Sequence, residues 1–339
     1  MNKKLKNVLK LMVFIAIGVL LFWLALRKQD LNKMKDDLMH ANYWWALVSL
    51  IFAMLSNLSR AIRWNMLIEP LGYKPRTFNT FSAVMIAYFA NLAIPRAGEV
   101  SRCAVLNRYE KVPVETLLGT VVVERVVDVI SLFLILVFVI VSNLKLMTLL
   151  SEKLLNLIGE KISSLAEKGI VFYAVVAAVI LILIFGIVFF MKKFRGSTAE
   201  KKFRNLLIGF ADGIKTVGKM KNRNYFLLHT FFIWTAYTLM AYVVFFALPA
   251  TSNLSFMAAI AVMVFGGIGF VIPSPGGSGS YQIFVAAVLI FYGMADHDAN
   301  SFAIISWTTQ TIAVIIFGTL CWALLPFFNR NYSPIKHAN

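Results

Sequence analysis

The sequence predicts an all-α, polytopic integral membrane protein. Three observations carry that prediction. The 339 residues are 60% hydrophobic, where a soluble domain averages about 45–50%. Several apolar runs reach the roughly 20 residues that a helix needs to cross a bilayer. The formal net charge of +17 lies between those runs rather than among them, as expected of loops facing an anionic cytoplasmic leaflet.

The first run, Val8–Leu26, follows Lys3, Lys4, Lys6 and Lys10 and ends in Trp-Leu-Ala-Leu-Arg with no small-residue cleavage site, so it reads as an uncleaved helix. Five further spans are expected at Tyr43–Leu58, Leu117–Val141, Ile170–Met191, Tyr225–Leu248 and Phe302–Phe328. Two apolar regions are irregular. Phe78–Ile94 ends in Pro95, and Leu254–Tyr292 is interrupted by Pro273-Ser-Pro-Gly-Gly-Ser-Gly-Ser280. Leu144–Leu165 has the spacing of an amphipathic helix lying in the interface, and a second such stripe, Phe203 to Val217, lies in a basic setting.

Lys/Arg asymmetry orients these elements. Lys192–Asn224 holds ten Lys/Arg against Glu200 and Asp212 and is placed in the cytoplasm, with both termini; 144–168 falls outside. Counting crossings from either end leaves Phe78–Ile94 with both flanks on one face, hence re-entrant, and Leu254–Tyr292 likewise. The expected architecture is two inverted repeats, each with three spanning helices and a broken Pro/Gly segment. Residues 1–168 and 169–328 form the repeats, and 329–339 a polar tail. Ala93-Ile-Pro-Arg-Ala-Gly-Glu99 beside Val271-Ile-Pro-Ser-Pro-Gly-Gly277 is a weak internal echo. Secondary transporters use such a design; a plain bundle with two kinked helices is the simpler alternative.

Four constellations carry polar chemistry at membrane depth. In Asn91-Leu-Ala-Ile-Pro-Arg-Ala-Gly-Glu-Val-Ser-Arg102, Arg96 and Arg102 suit a forked clamp on a phosphate with Glu99 orienting them, or else the segment is a solvated turn. Glu124-Arg125-Val-Val-Asp128 places two carboxylates on one helical face with Arg125 beside them. Ionisable groups there mark a pathway or snorkel to the interface, and pairing with Arg96 or Arg102 would compensate them. Gly276 and Gly277 permit close backbone approach, and a helix opening near Tyr281 and Gln282 offers N–H groups to an anion. Arg60-Ala-Ile-Arg63-Trp64 reads first as an aromatic-belt anchor and second as a lipid headgroup contact.

Other function classes find little support. No zinc-finger, basic-zipper or RNA-recognition pattern points to nucleic acid, and no nucleotide or hydrolase motif points to an enzyme, so no cofactor or metal is expected. Asp296-His297-Asp298 has the look of a metal trio but is expected to cap an external loop. Cys103 and Cys321 show no ligand spacing.

Taken together, Arg60-x-x-Arg63-Trp64, Asn91-x-x-x-Pro95-Arg-Ala-Gly-Glu99-x-x-Arg102, Glu124-Arg-x-x-Asp128 and Pro273-x-Pro-Gly-Gly277 resemble the flippase-like membrane family. This family comprises the transmembrane region of bacterial lysylphosphatidylglycerol synthases and its stand-alone relatives. The resemblance implies an inner or plasma membrane protein that moves an anionic phospholipid or isoprenoid-phosphate lipid between leaflets along these polar residues, possible company being a lipid-modifying enzyme. The family often has a Glu shortly after the Gly-rich loop, where this chain has Tyr281 and Gln282. Aminoacyl transfer in the family needs an additional cytoplasmic domain, and only the polar tail follows Phe328, so translocation without lysyl transfer is expected. The alternatives are a lipid-modifying transferase using Glu99 or Asp128 as general base, and a lipid-binding scaffold.

Overall fold

The computed structural model describes residues 30–142 and 220–334 apart from 273, with isolated positions at 12, 19, 20, 22, 23, 217 and 218. The expected spans Val8–Leu26 and Ile170–Met191 and the two amphipathic stripes fall outside the described stretches. Every regular element described is helical: α1 (Leu31–His40), α2 (Tyr43–Ile68), α3 (Thr77–Ala93), α4 (Gly98–Glu110), α5 (Val114–Ser142), α6 (Arg223–Val244), α7 (Phe256–Val271), α8 (Ser280–Phe291) and α9 (Asp296–Phe328). Short 3₁₀ turns extend α2 through Leu71 and α6 through Ala247.

Four of these helices are long and apolar enough to cross a bilayer: Tyr43–Leu71, Val114–Ser142, Arg223–Ala247 and Asp296–Phe328. At 1.5 Å per residue, 29 residues of α5 reach about 43 Å, beyond the roughly 30 Å of a hydrocarbon core. Their outer faces carry exposed apolar stripes, such as Leu47, Ile51, Leu55 and Leu58 on α2, or Val122, Val129, Phe133 and Phe138 on α5. Much of the buried face of α2 is small or polar. On α2 the buried row runs Ala46, Ser49, Ala53, Ser56, Ser59, Arg60 and Arg63. Lipid is as apolar as leucine, so burying Leu gains little there, whereas small residues let backbones approach and polar groups bond across helices. The α2 row packs on α6, where Thr230, Ile233, Ala236 and Ala241 are buried.

The α2 boundary corrects the sequence expectation. The spanning helix does not stop near Leu58; it continues through Arg60, Arg63 and Trp64 to Ile68, with these side chains buried. Sequence hydropathy ends a span at charge, but charge that is paired inside the protein leaves the helix free to run on.

The two irregular regions are helical hairpins. In the first, α3 ends at Ala93, a turn carries Pro95 and Arg96, and α4 packs back on α3. The turn is held by the Gly98 N–H donating to Asn91 Oδ1 at 2.7 Å. A Cβ on Gly98 would sit 2.3 Å from the Ala87 carbonyl oxygen, so only glycine lets the two helices meet so closely. The open ends of this hairpin come together: Arg76 N–H and Asn79 Nδ2 both donate to Glu110 Oε1, at 2.9 and 2.6 Å. Asn79 also exchanges two 2.8 Å bonds with Asn329, and Tyr332 Oη donates to Glu110 Oε2, which brings the end of α9 to the same place.

In the second hairpin α7 and α8 pack together around the Gly-rich turn. Gly276 has φ +55°, and a Cβ there would lie 2.5 Å from Leu92 at the first hairpin's tip. Trp307 of α9 donates to the Gly276 carbonyl at 2.8 Å. The two tips thus meet each other. The aspartates of Asp296-His297-Asp298 lie in the first turn of α9, where carboxylates suit the positive helix end.

Candidate functional site: a buried arginine–carboxylate cluster

Glu124 and Asp128 lie one turn apart near the middle of α5, and both are buried: Glu124 is 0% exposed and Asp128 9%. The interfacial snorkelling alternative does not hold for them. Arg60 and Arg63, also one turn apart, face them from α2. Arg60 Nη1 donates to Glu124 Oε1 at 2.5 Å and to Asp128 Oδ2 at 2.9 Å. Arg63 Nη2 donates to Asp128 Oδ1 at 2.6 Å and lies 3.6 Å from Glu124 Oε1. Arg102 comes from α4, its Nη1 donating to Glu124 Oε2 at 2.9 Å. The hairpin therefore delivers one arginine to a carboxylate on a spanning helix, as the compensation argument anticipates for Arg102.

A shell of neutral partners fixes these groups. Arg60 Nη2 reaches Tyr237 Oη at 3.3 Å, and Arg63 Nη1 reaches Thr230 Oγ1 at 3.1 Å, both on α6. The Arg102 guanidinium stands over the Trp64 ring at 4.6 Å, while Trp64 Nε1 donates to Thr120 Oγ1 at 2.8 Å. Trp64 is a buried wall of the site and not a belt residue, and Arg60 and Arg63 are likewise interior rather than interfacial anchors.

The charges do not cancel. Three guanidiniums (Arg60, Arg63, Arg102) surround two carboxylates (Glu124, Asp128), which leaves one positive charge in a buried setting. Arg60 Nε, Arg63 Nε, and Arg102 Nε and Nη2 are buried without a hydrogen-bond partner. Nε and Nη2 share one edge of the guanidinium, so Arg102 presents a complete two-donor fork. Arg102 lines a small cavity between α2, α3, α4 and α5, together with Arg60, Tyr88, Asn91, Glu99 and Arg125. Its free space is about 20 Å³, room for one water. Glu99 and Arg125 stand at this cavity as a part-exposed pair, Arg125 Nε to Glu99 Oε1 at 3.0 Å.

The expected residues thus sort into groups. Arg60, Arg63, Arg102, Glu124 and Asp128 form one network; Asn91, Glu99 and Arg125 line its cavity. Glu99 holds Arg125, not Arg96. Arg96 is exposed at the hairpin tip with φ +66° and is not among the residues lining the cavity, so the Arg96–Arg102 clamp is not formed. Gly276, Gly277, Tyr281 and Gln282 build the second hairpin instead: Tyr281 Oη bonds Ser306 Oγ at 2.9 Å, and Gln282 Oε1 accepts from Gly279 N–H at 2.8 Å. Sequence reasoning missed Tyr88, Thr120, Thr230 and Tyr237. Hydroxyls on otherwise apolar helices were the available signal.

A separate group of Asp37, His297 and Asp298 brings three potential ligand atoms within 4.8 Å, with Asp37 from α1 in place of Asp296. Asp37 accepts from Ser301 Oγ at 2.8 Å, and His297 Nε2 lies 3.5 Å from Asp298 Oδ1.

The chain is similar to known membrane proteins. A UPF0104 membrane protein of Pyrococcus horikoshii is 26% identical over 317 residues, covering 84% of this chain and 88% of that protein. A UPF0104 membrane protein of Methanocaldococcus jannaschii is 28% identical over 125 residues, 36% of this chain and 37% of that protein. No solved structure matches. Residues 8–318 match the family described as the lysylphosphatidylglycerol synthase TM region. Nearly the whole length is covered, and this multi-pass membrane protein belongs to that family.

Proposed function

We propose that this protein moves an anionic phospholipid or isoprenoid-phosphate lipid between the leaflets of the membrane, the lipid phosphate docking on Arg102. One observation carries the reading: a buried cluster with one positive charge in excess has the two-donor edge of Arg102 unoccupied beside a cavity. An uncompensated buried cation is costly, and an anionic ligand removes that cost. Glu124 and Asp128 hold the arginines in place, so that the fork is preorganised before the lipid arrives.

The cavity has room for one water and not for a headgroup, so the described conformation is a closed one and transport includes opening around the first hairpin. Two hairpins meeting tip to tip support an arrangement of two inverted repeats, residues 1–168 and 169–328, and the Lys/Arg asymmetry of the sequence supports both termini and the basic segment 192–224 in the cytoplasm. The sequence offers no nucleotide-binding motif, so movement is facilitated or ion-coupled.

The test is Arg102→Lys in liposomes carrying a fluorescent lipid, at matched incorporation and thermal stability. Lysine keeps the charge and loses the fork, a loss of about one charge-assisted hydrogen bond worth roughly 1.5–3 kcal/mol. The expected result is translocation at least tenfold slower. A wild-type rate overturns the phosphate role of Arg102, and a covalently altered lipid by mass spectrometry would replace transport with a transferase.

A further inference from the structure

We propose that the group taken up is a terminal phosphomonoester on a lipid, selected over a phosphodiester by exchange at the Glu99–Arg125 pair. This rests on the reading of the cavity as a phosphate site.

Entry requires the pair to part. Glu99 and Arg125 reach from α4 and α5 to the same cavity, whose free space of about 20 Å³ is far below a phosphate's needs. Both side chains are nearly half exposed, at 42% and 45%, so protein does not enclose the pair and it can part without repacking a helix. Arg125 keeps only a 3.8 Å approach to Asp128 Oδ2 and is free to turn its guanidinium to the incoming anion.

The charge count then decides what fits. With the pair closed, Arg60, Arg63 and Arg102 exceed Glu124 and Asp128 by one. With it open, Arg125 joins the ligand's surroundings and the excess becomes two. A phosphomonoester carries about −1.5 to −2 at pH 7 and three acceptor oxygens. Two oxygens can take Nε and Nη2 of Arg102, and the third takes Arg125. A phosphodiester brings one charge and two unesterified oxygens, already matched by Arg102, and so leaves Arg125 without compensation when it is parted from Glu99.

The experiment uses the full chain in nanodiscs of zwitterionic lipid at pH 8, with calorimetric titration of short-chain phosphatidate, short-chain phosphatidylglycerol and inorganic phosphate. The expected result is phosphatidate bound about tenfold or more tightly than phosphatidylglycerol, and more tightly than free phosphate. Arg125→Gln, checked for unchanged thermal stability, should bring phosphatidate down to the level of phosphatidylglycerol while leaving the latter bound. Equal affinities in the wild type, or a preference that survives Arg125→Gln, overturn the selection. Free phosphate binding as well as phosphatidate overturns the lipid assignment. If no probe binds the wild type, the underlying phosphate site is itself wrong, an outcome separate from failed selection.

Discussion

Replacing Glu124 by Gln removes one carboxylate charge at nearly constant volume and tests whether the cluster is the keystone of the fold. Glu124 accepts from Arg60 at 2.5 Å and from Arg102 at 2.9 Å, with Arg63 at 3.6 Å, and it is fully buried. Its neutralisation leaves three guanidiniums facing one carboxylate, Asp128. The excess buried charge thus rises from one to two. It also turns an amide NH₂ toward a guanidinium, a donor against donors. Breaking a buried pair in this way costs about 3–5 kcal/mol. The control is Glu99→Gln, which breaks a part-exposed pair and leaves every bond among Arg60, Arg63, Arg102, Glu124 and Asp128 in place. The assay is denaturant unfolding of both variants and wild type in one mild detergent, followed by tryptophan fluorescence. Glu124→Gln should lose several kcal/mol and Glu99→Gln little. Equal, small losses would refute the argument, because the buried cluster would then be no more than a set of solvated ions.

Gly98→Ala places a methyl group 2.3 Å from a backbone oxygen, whereas Gly119→Ala meets nothing within 4 Å. The first should fail to yield folded protein or melt much lower in a detergent thermal shift, and the second should be neutral or gain up to about 1 kcal/mol of helix propensity. Tyr332→Phe removes the bond to Glu110 Oε2 and should cost about 1 kcal/mol in the same unfolding assay. Cysteines at Tyr73 and Asn107 should label from one face of the membrane, since the open ends of the first hairpin are held together through Glu110; labelling from opposite faces contradicts the re-entrant hairpin.

The parts of this fold visible in the sequence are those set by local patterns. Apolar length identifies α5, α6 and α9, and Pro95 and the Pro/Gly run locate both hairpin turns, because breaking a helix is a property of a few adjacent residues. Glu124 and Asp128 stand out because charge inside an apolar run has few explanations. What was not legible is pairing. Arg60 is 64 residues from Glu124, and nothing in the local composition distinguishes an arginine at a helix end from one that reaches a carboxylate on another helix. The same gap underlies the Arg96–Arg102 clamp, which the structure does not form. In sequence it is one of two arginines flanking Glu99 and looks equivalent to Arg102. In space, the left-handed Arg96 is exposed at the turn, while Arg102, about one turn into α4, reaches Glu124 of α5. Tyr237 and Thr230 gave only a faint signal for a related reason, since a hydroxyl on a spanning helix gains meaning only when an arginine on the next helix needs an acceptor.

The arrangement of charge also bears on how a site of this kind stays folded. Two carboxylates hold three arginines, so the network alone falls one negative charge short of neutrality. A third buried acid would complete it and remove any reason to bind an anion. A missing arginine would do the same from the other side. Every Nη of Arg60 and Arg63 has an acid or hydroxyl partner, whereas Arg102, the one of the three carried by the hairpin and not by a spanning helix, leaves two nitrogens unpartnered. The unsatisfied Arg102 edge therefore sits on α4, joined to α3 by a short turn, and not on α2 or α5, whose own pairs run between Arg60, Arg63, Glu124 and Asp128. Under the proposed reading, an anion on the free edge of Arg102 would act on α4 directly and so couple binding to movement of the hairpin.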